Sequence, residues 1–284
     1  MKTEVVLAGF TNWRLQLGIP SVTYIIFPLI CILLANFAEM FLSKELVLGL
    51  LYIGILPSTV QSSIAFTALA QGNVAASVCA ASISNLLGVF VTPILASFIL
   101  HTNDGSFNSA AVVNIALQIV TPFLLGQVAR RWIGDWIGRH RLLSLAVDRG
   151  SILLIVYTAF SAGVVAGVWN NLDSTQLLVL IAVVSLVLAI AMGVTIAVGR
   201  LSGFNSEDNK SMIFCGSTKS LASGVPIANI LFAGGPVSLI ILPLMLYHQL
   251  QILICSMLAQ SMAARALENG SHLQAPSARP GPVG

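Results

Sequence analysis

The chain has 284 residues, of which 57% are hydrophobic and 8% charged, and its mean hydropathy is +0.94. Soluble domains carry about a quarter charged residues, so this composition excludes an ordinary soluble enzyme or nucleic-acid-binding module. The long apolar runs read as helices of an all-α polytopic membrane protein, and the net charge of +3 sits mainly in the links, where it sets topology.

Residues 1–14 contain Lys2, Glu4 and Arg14 and are expected to form a cytoplasmic N-terminal segment; the membrane domain is expected over 15–262. The first span runs from about Leu15 to Phe37 and carries Pro20 and Pro28, which membrane helices tolerate. A link with Glu39, Lys44 and Glu45 leads into an interrupted second span, about Leu46 to Ala70, and a tight turn at Gln71-Gly72-Asn73. The third span reaches Leu100, and the small residues of its first half (Ala75, Ala76, Ser77, Ala80, Ala81) allow close helix approach. A fourth span ends near Val128. The segment Arg130 to Arg141 mixes cations with Trp132 and Trp136, and suits either the interface plane or an ordinary cytoplasmic loop.

A fifth span covers about Gly150 to Trp169, a sixth Gln176 to Val198, an interrupted seventh Ser211 to Phe232, and an eighth Pro236 to Ala259. The tail, 263–284, is rich in Ser, Ala, Pro and Gly and is expected to be disordered and cytoplasmic. Trp13, Trp132, Trp136 and Trp169 fall at span edges, as an aromatic belt requires. Cys31, Cys79, Cys215 and Cys255 lie in apolar runs and read as small buried hydrophobes.

Alternation of eight spans puts Lys2, Arg14, Arg130, Arg131, Arg139, Arg141, Arg149, Arg200, Lys210, Arg265 and Arg279 on one side. Of the thirteen basic residues only Lys44 lies opposite, and Lys219 lies inside the membrane. The positive-inside rule then makes both termini cytoplasmic, as in a bacterial inner-membrane protein.

The two interrupted spans hold the candidate site. In the second, Pro57 is followed by Ser58, Thr59, Gln61, Ser62 and Ser63. In the seventh, Gly216, Gly224 and Pro226 are expected to break the helix, while Ser217, Thr218, Ser220 and Ser223 supply hydroxyls to the released backbone groups. Lys219 is a cation in the middle of this stretch, and intramembrane charges face a cavity, a partner or a pathway. The plainer alternative is a lysine that snorkels from a helix end. Paired broken helices in two halves point to an inverted-repeat transporter whose breaks cross at the midplane; two unrelated kinked helices are the alternative. The halves are unequal, 15–101 against 107–261, so two helices are expected to be missing ahead of Met1.

Pro57, the run Gly72-Asn73-Val74-Ala75, Thr92-Pro93, the stretch Cys215 to Phe232, and Leu242-Pro243-Leu244 with Tyr247-His248 together resemble the bile acid:sodium symporter family, in its SBF-like branch. The resemblance covers about residues 3 to 262. It implies the ten-helix design shared with cation/proton antiporters, in which two unwound helices cross and a core domain moves against a panel domain. It also implies where sodium ligands would fall. The Ser-Asn pair of the family reads Ser63-Ile64 here, a later Ser and Thr read Ser77 and Ala81, and a glutamate, Gln and Asn read Phe214, Thr218 and Lys219. Ser63, Ser77 and Thr218 would be the remaining ligands if sodium binds. No carboxylate lies in the expected spans, and a buried sodium ion without a counter-charge is costly.

Lys219 could stand in for the ion, attract an organic anion, or release a proton, which leaves Na+ or H+ as the only cofactors to consider. The function expected from this is secondary transport of an organic anion or similar small solute, with sodium coupling doubtful. Gln61, Ser62 and the hydroxyls around Lys219 are candidates for its polar lining, or else helix-packing groups. The alternative function is a regulatory or assembly protein that keeps the fold without transporting. An intramembrane hydrolase is not expected, because His248 has no acidic partner in its span. Lipids and a small solute are the expected partners.

Overall fold

The computed structural model describes residues 12–100, 139–165, 167 and 173–273, with part of 117–136. Among the described residues the ordered elements are helices: α1 (Trp13–Ala38), α2 (Lys44–Ile55), α3 (Gln61–Leu69), α4 (Val74–Ile99), α5 (Arg141–Val165), α6 (Ser174–Leu201), α7 (Ser206–Ser217), α8 (Leu221–Leu231) and α9 (Val237–Leu273). Four of them, α1, α4, α6 and the part of α9 at Val237–Ala266, are long and apolar enough to cross a bilayer alone. The pairs α2/α3 and α7/α8 are the two interrupted spans. The expected fourth span and Trp169 fall largely or wholly outside the described residues.

The distribution of side chains is that of a protein whose outer solvent is lipid. On α1, Leu17, Ile25, Leu29, Leu33 and Phe37 are exposed at multiples of four residues and form one apolar stripe. Polar groups are inside instead, among them Ser58, Ser63, Thr67, Ser77, Ser84, Thr218, Lys219 and Gln251. Backbone and polar groups must be satisfied internally when hydrocarbon surrounds the helices. The chain is an integral membrane protein with an all-α polytopic fold.

Two sets of elements follow the same order: a straight helix (α1, α6), a broken one (α2/α3, α7/α8) and a straight one (α4, α9). They interlock, since α2 packs on α9 and α7 packs on α4. The contact of α2 with α9 is close because Gly49 faces it: a Cβ there would lie 2.4 Å from the Ile240 carbonyl oxygen and 2.7 Å from Pro243. Van der Waals contact of this kind drives association where lipid is as apolar as leucine. The small-residue face of α4 is used in the same way, with Ala76 and Ala80 buried against Leu15, Ile19, Met212 and Cys215. All four cysteines are buried.

One end of the bundle is tied by a shared carboxylate. Asn12, Asn73 and Asn205 are the N-cap residues of α1, α4 and α7. Asp208 accepts from Asn12 Nδ2 at 2.5 Å and Asn73 Nδ2 at 2.7 Å, and its own N–H donates to Asn205 Oδ1 at 2.7 Å. A negative charge is favoured beside helix N-termini, so one carboxylate serves three. The connection from α3 to α4 is held there too: Gln71 takes a positive φ of 57°, and Asn73 N–H donates to the Glu207 carbonyl at 3.1 Å.

Two boundaries differ from expectation. α5 begins at Arg141, ahead of Gly150, because Asp148 and Arg149 mark a membrane edge without ending a helix. α9 continues to Leu273, well into the stretch expected to be disordered. The sequence Met262-Ala-Ala-Arg-Ala-Leu-Glu consists of strong helix formers, and residues 274–284 lie outside the described residues.

Candidate functional site

Both broken spans open in extended backbone. α2 stops at Ile55, Leu56 is extended (φ −79°, ψ 151°), and Pro57 has no N–H to continue the helix. α7 stops at Ser217, and Thr218 (φ −92°, ψ 146°) and Ser220 (φ −83°, ψ 109°) are extended on either side of Lys219. Ser220 Oγ then caps α8 by accepting from Ser223 N–H at 3.1 Å. The second interruption therefore falls between Gly216, Gly224 and Pro226 and not on them. Gly216 lies inside α7, Gly224 and Pro226 lie inside α8, and none of the three has a positive φ. The glycines serve close packing: a Cβ on Gly216 would meet Thr195 at 2.7 Å, and one on Gly224 would meet Leu244 at 2.6 Å.

The two openings cross in contact, with Ser220 N–H donating to the Pro57 carbonyl at 3.0 Å. The five successive carbonyls from Gly54 to Ser58 each have a donor. Gly54 and Leu56 accept from Lys219 Nζ, Ile55 from Thr92 Oγ1 at 2.9 Å, Pro57 from Ser220 N, and Ser58 from Asn85 Nδ2 at 2.9 Å. The second break is treated similarly: Phe214 accepts from Thr218 Oγ1 at 2.8 Å, Cys215 from Ser58 Oγ at 2.6 Å, and Ser217 from Tyr247 Oη at 2.5 Å. The last carbonyls of α2 and α7 are thus each capped by a hydroxyl from the straight helix that follows, Thr92 on α4 and Tyr247 on α9.

Lys219 is fully buried and spends all three ammonium donors on backbone oxygens: Leu56 at 2.7 Å, Gly54 at 3.0 Å and Thr23 at 3.0 Å. Three acceptors require three N–H groups, which a neutral amine does not have. The Thr23 carbonyl is free because α1 carries a π turn at Val22–Ile26, where Phe27 N–H bonds Val22 instead. The next candidate donor is Pro28, which has no N–H. The Phe27 ring lies 4.0 Å from Nζ, adding a cation–π contact. The ammonium also sits at the C-terminal end of α2, where the helix dipole is negative.

The Lys219 backbone is clamped by α9. Its N–H donates to Gln251 Oε1 at 2.8 Å and its carbonyl accepts from Gln251 Nε2 at 2.9 Å. Ser63 and Ser77 meet through Thr67: Ser77 Oγ donates to Thr67 Oγ1 at 2.9 Å, and Thr67 Oγ1 donates to the Ser63 carbonyl at 2.8 Å. Ser63 Oγ bonds the Thr59 carbonyl, and Thr59 Oγ1 donates to Thr218 Oγ1 at 3.0 Å. The three candidate sodium ligands are therefore joined through hydroxyls and the backbone carbonyls of Ser63 and Thr59. Gln61 is exposed and Ser62 half-buried at the start of α3, beside this network. Ser217 Oγ turns back to the Ile213 carbonyl at 2.6 Å within its own helix.

Thr23, Phe27, Asn85, Thr92, Tyr247 and Gln251 belong to the site and were not among the sequence candidates. For Thr23 the sequence carried no direct signal: in an ordinary α-helix Pro28 would free the carbonyl four residues back, that of Tyr24, and only the π turn shifts the free carbonyl to Thr23. Gln251 was visible only as a polar residue in an apolar span.

Two broken helices that meet in the interior of a membrane protein are a transporter architecture, and the comparisons agree. A protein of Pseudomonas aeruginosa with no assigned function is 46% identical over 279 residues, covering 98% of this chain and 84% of that protein. YfeH of Escherichia coli, which carries a provisional symporter name, is 42% identical over 260 residues, covering 92% and 78%. The rat protein named sodium/bile acid cotransporter 7 is 31% identical over 266 residues, again covering 92% and 78%. Residues 1–264 match the SBF-like CPA transporter family over nearly the whole chain, broken helices included, and this membrane transporter belongs to that family.

Proposed function

We propose that the protein is a secondary transporter that moves an organic anion or similar small solute by alternating access at the crossing of α2/α3 and α7/α8, with Lys219 as a built-in cation in place of sodium. The observation that carries this reading is the saturated ammonium: Nζ holds three carbonyls and has no donor left for a solute. It joins α1, the end of α2 and the α7/α8 break as a bound metal ion would. An anionic solute would instead meet the N-terminal ends of α3 and α8, which open at the crossing and carry positive dipole ends. Gln61, Ser62 and Ser220 are the lining groups of this reading, with Ser58, Thr59, Ser63, Ser77, Ser217 and Thr218 holding the crossing behind them. The segregation of basic residues supports cytoplasmic termini, and the relatives from Pseudomonas and Escherichia support a bacterial inner membrane.

The test uses the purified full chain reconstituted in lipid vesicles, with a bile-acid anion as the probe solute. Replacing Na+ by K+ is expected to leave thermal stability and probe uptake unchanged, and Lys219→Met is expected to abolish uptake. Sodium-dependent stabilisation of the wild type would overturn the built-in-cation reading, since a ligand of the folded state raises stability by mass action.

A further inference from the structure

The clamp on Lys219 reaches one more group. Gln251 uses Oε1 for the Lys219 N–H and one Nε2 hydrogen for the Lys219 carbonyl. These two bonds fix the amide orientation, because the reverse would set donor against donor and acceptor against acceptor. The second Nε2 hydrogen points to His248 Nδ1 at 2.7 Å, one turn back on α9. An amide nitrogen only donates, so Nδ1 must hold a lone pair and the ring proton must sit on Nε2.

We propose that His248 is a proton-binding site that latches the crossing: unprotonated it holds Gln251 on the Lys219 backbone, and protonated at Nδ1 it releases that clamp. The proton arrives on the Nδ1 lone pair, giving an imidazolium with N–H on both nitrogens, and leaves from the same atom. Protonated Nδ1 faces the Gln251 N–H, and the amide cannot turn to meet it without losing both Lys219 bonds. His248 is half-buried, whereas Gln251 is fully buried.

The other ionisable groups around this point are few. On α9 they are Tyr247 and Cys255, on α1 Cys31, on α2 Tyr52, and at the break Lys219, whose Nζ is committed elsewhere. The charged residues of α2, α6 and α7 sit near their far ends: Lys44 and Glu45, Arg200, and Glu207, Asp208 and Lys210. On α5 they are Arg141, Asp148 and Arg149, with Tyr157 exposed; α3 and α8 have none. Imidazole is the side chain whose ordinary titration spans the range where cells hold pH gradients. The proposal extends the transport reading by naming a coupling proton, but its test is on the protein alone and does not depend on any solute.

The full-length protein is purified in detergent and its thermal midpoint followed from about pH 7.5 to about pH 5.5, across the imidazole range. His248→Asn keeps an oxygen acceptor for Gln251 and cannot titrate. The two proteins are expected to match at the upper pH, with the wild type losing several degrees more than the variant at the lower. Parallel profiles would overturn the proposal. Imidazole 15N spectra of the wild type supply an independent check should the variant not fold: an Nε2–H tautomer at neutral pH is required, and an Nδ1–H tautomer refutes the latch.

Discussion

Lys219 shows what one buried charge demands. Moving an ammonium out of water costs several kcal/mol even after relaxation, and among the described residues no carboxylate is paired with it. The offset comes from backbone: hydrogen bonds involving a charged group contribute about 1.5–3 kcal/mol each, and the α2 dipole adds to them. Lys219→Met removes the charge yet leaves the carbonyls of Thr23, Gly54 and Leu56 without a donor in a dry interior. We expect a loss of a few kcal/mol in unfolding free energy, since each carbonyl left unpaired costs about 1–3 kcal/mol while the desolvation cost of the ammonium is relieved, measured by denaturant unfolding in detergent. Lys219→Arg is not expected to rescue it, because a planar fork cannot address three converging oxygens around one atom.

At the scale of elements, the breaks depend on proline through the donors it lacks. Pro57 ends α2, and Pro28 leaves the Thr23 carbonyl of the π turn open to Lys219. Proline inside a helix ordinarily costs stability, so Pro28→Ala would be expected to stabilise on propensity alone. We expect the opposite here. The restored N–H competes for the Thr23 carbonyl and Lys219 loses an acceptor, with a net destabilisation of about 1–2 kcal/mol, the scale of one buried polar group left unpaired. A rise in unfolding midpoint would show that the π turn does not serve the lysine.

At the scale of the molecule, two devices hold the bundle: the crossing in its interior and Asp208 at one end. The second joins α1, α4 and α7 through three asparagine caps. Asp208→Ala strips the acceptor from Asn12 and Asn73 together and removes the charge facing three helix N-termini. Each orphaned donor costs about 1–3 kcal/mol, so the expected effect is a loss of a few kcal/mol. Hydrogen exchange should rise in the first turns of α1 and α4 while the Lys219 region stays protected. Equal loosening at both places would mean that the two devices are not independent.

The apolar runs, the segregation of basic residues, and the two stretches at Pro57 and Lys219 were legible in the sequence, because hydropathy, charge and helix breakers act locally. The membrane character, the broken helices and Lys219 as the central residue follow from those alone. The partners of Lys219 were not legible. Thr23, Gly54 and Leu56 offer backbone carbonyls, which every residue possesses, so no side-chain pattern marks them. Gln251 and Tyr247 became members of the site only when α9 was packed against the second break. The second interruption lies between the glycines because Gly216 and Gly224 answer to neighbours, Thr195 and Leu244, that are distant in sequence. Local chemistry determined where the chain could open; the tertiary structure decided which oxygens the opening exposed and which cation took them.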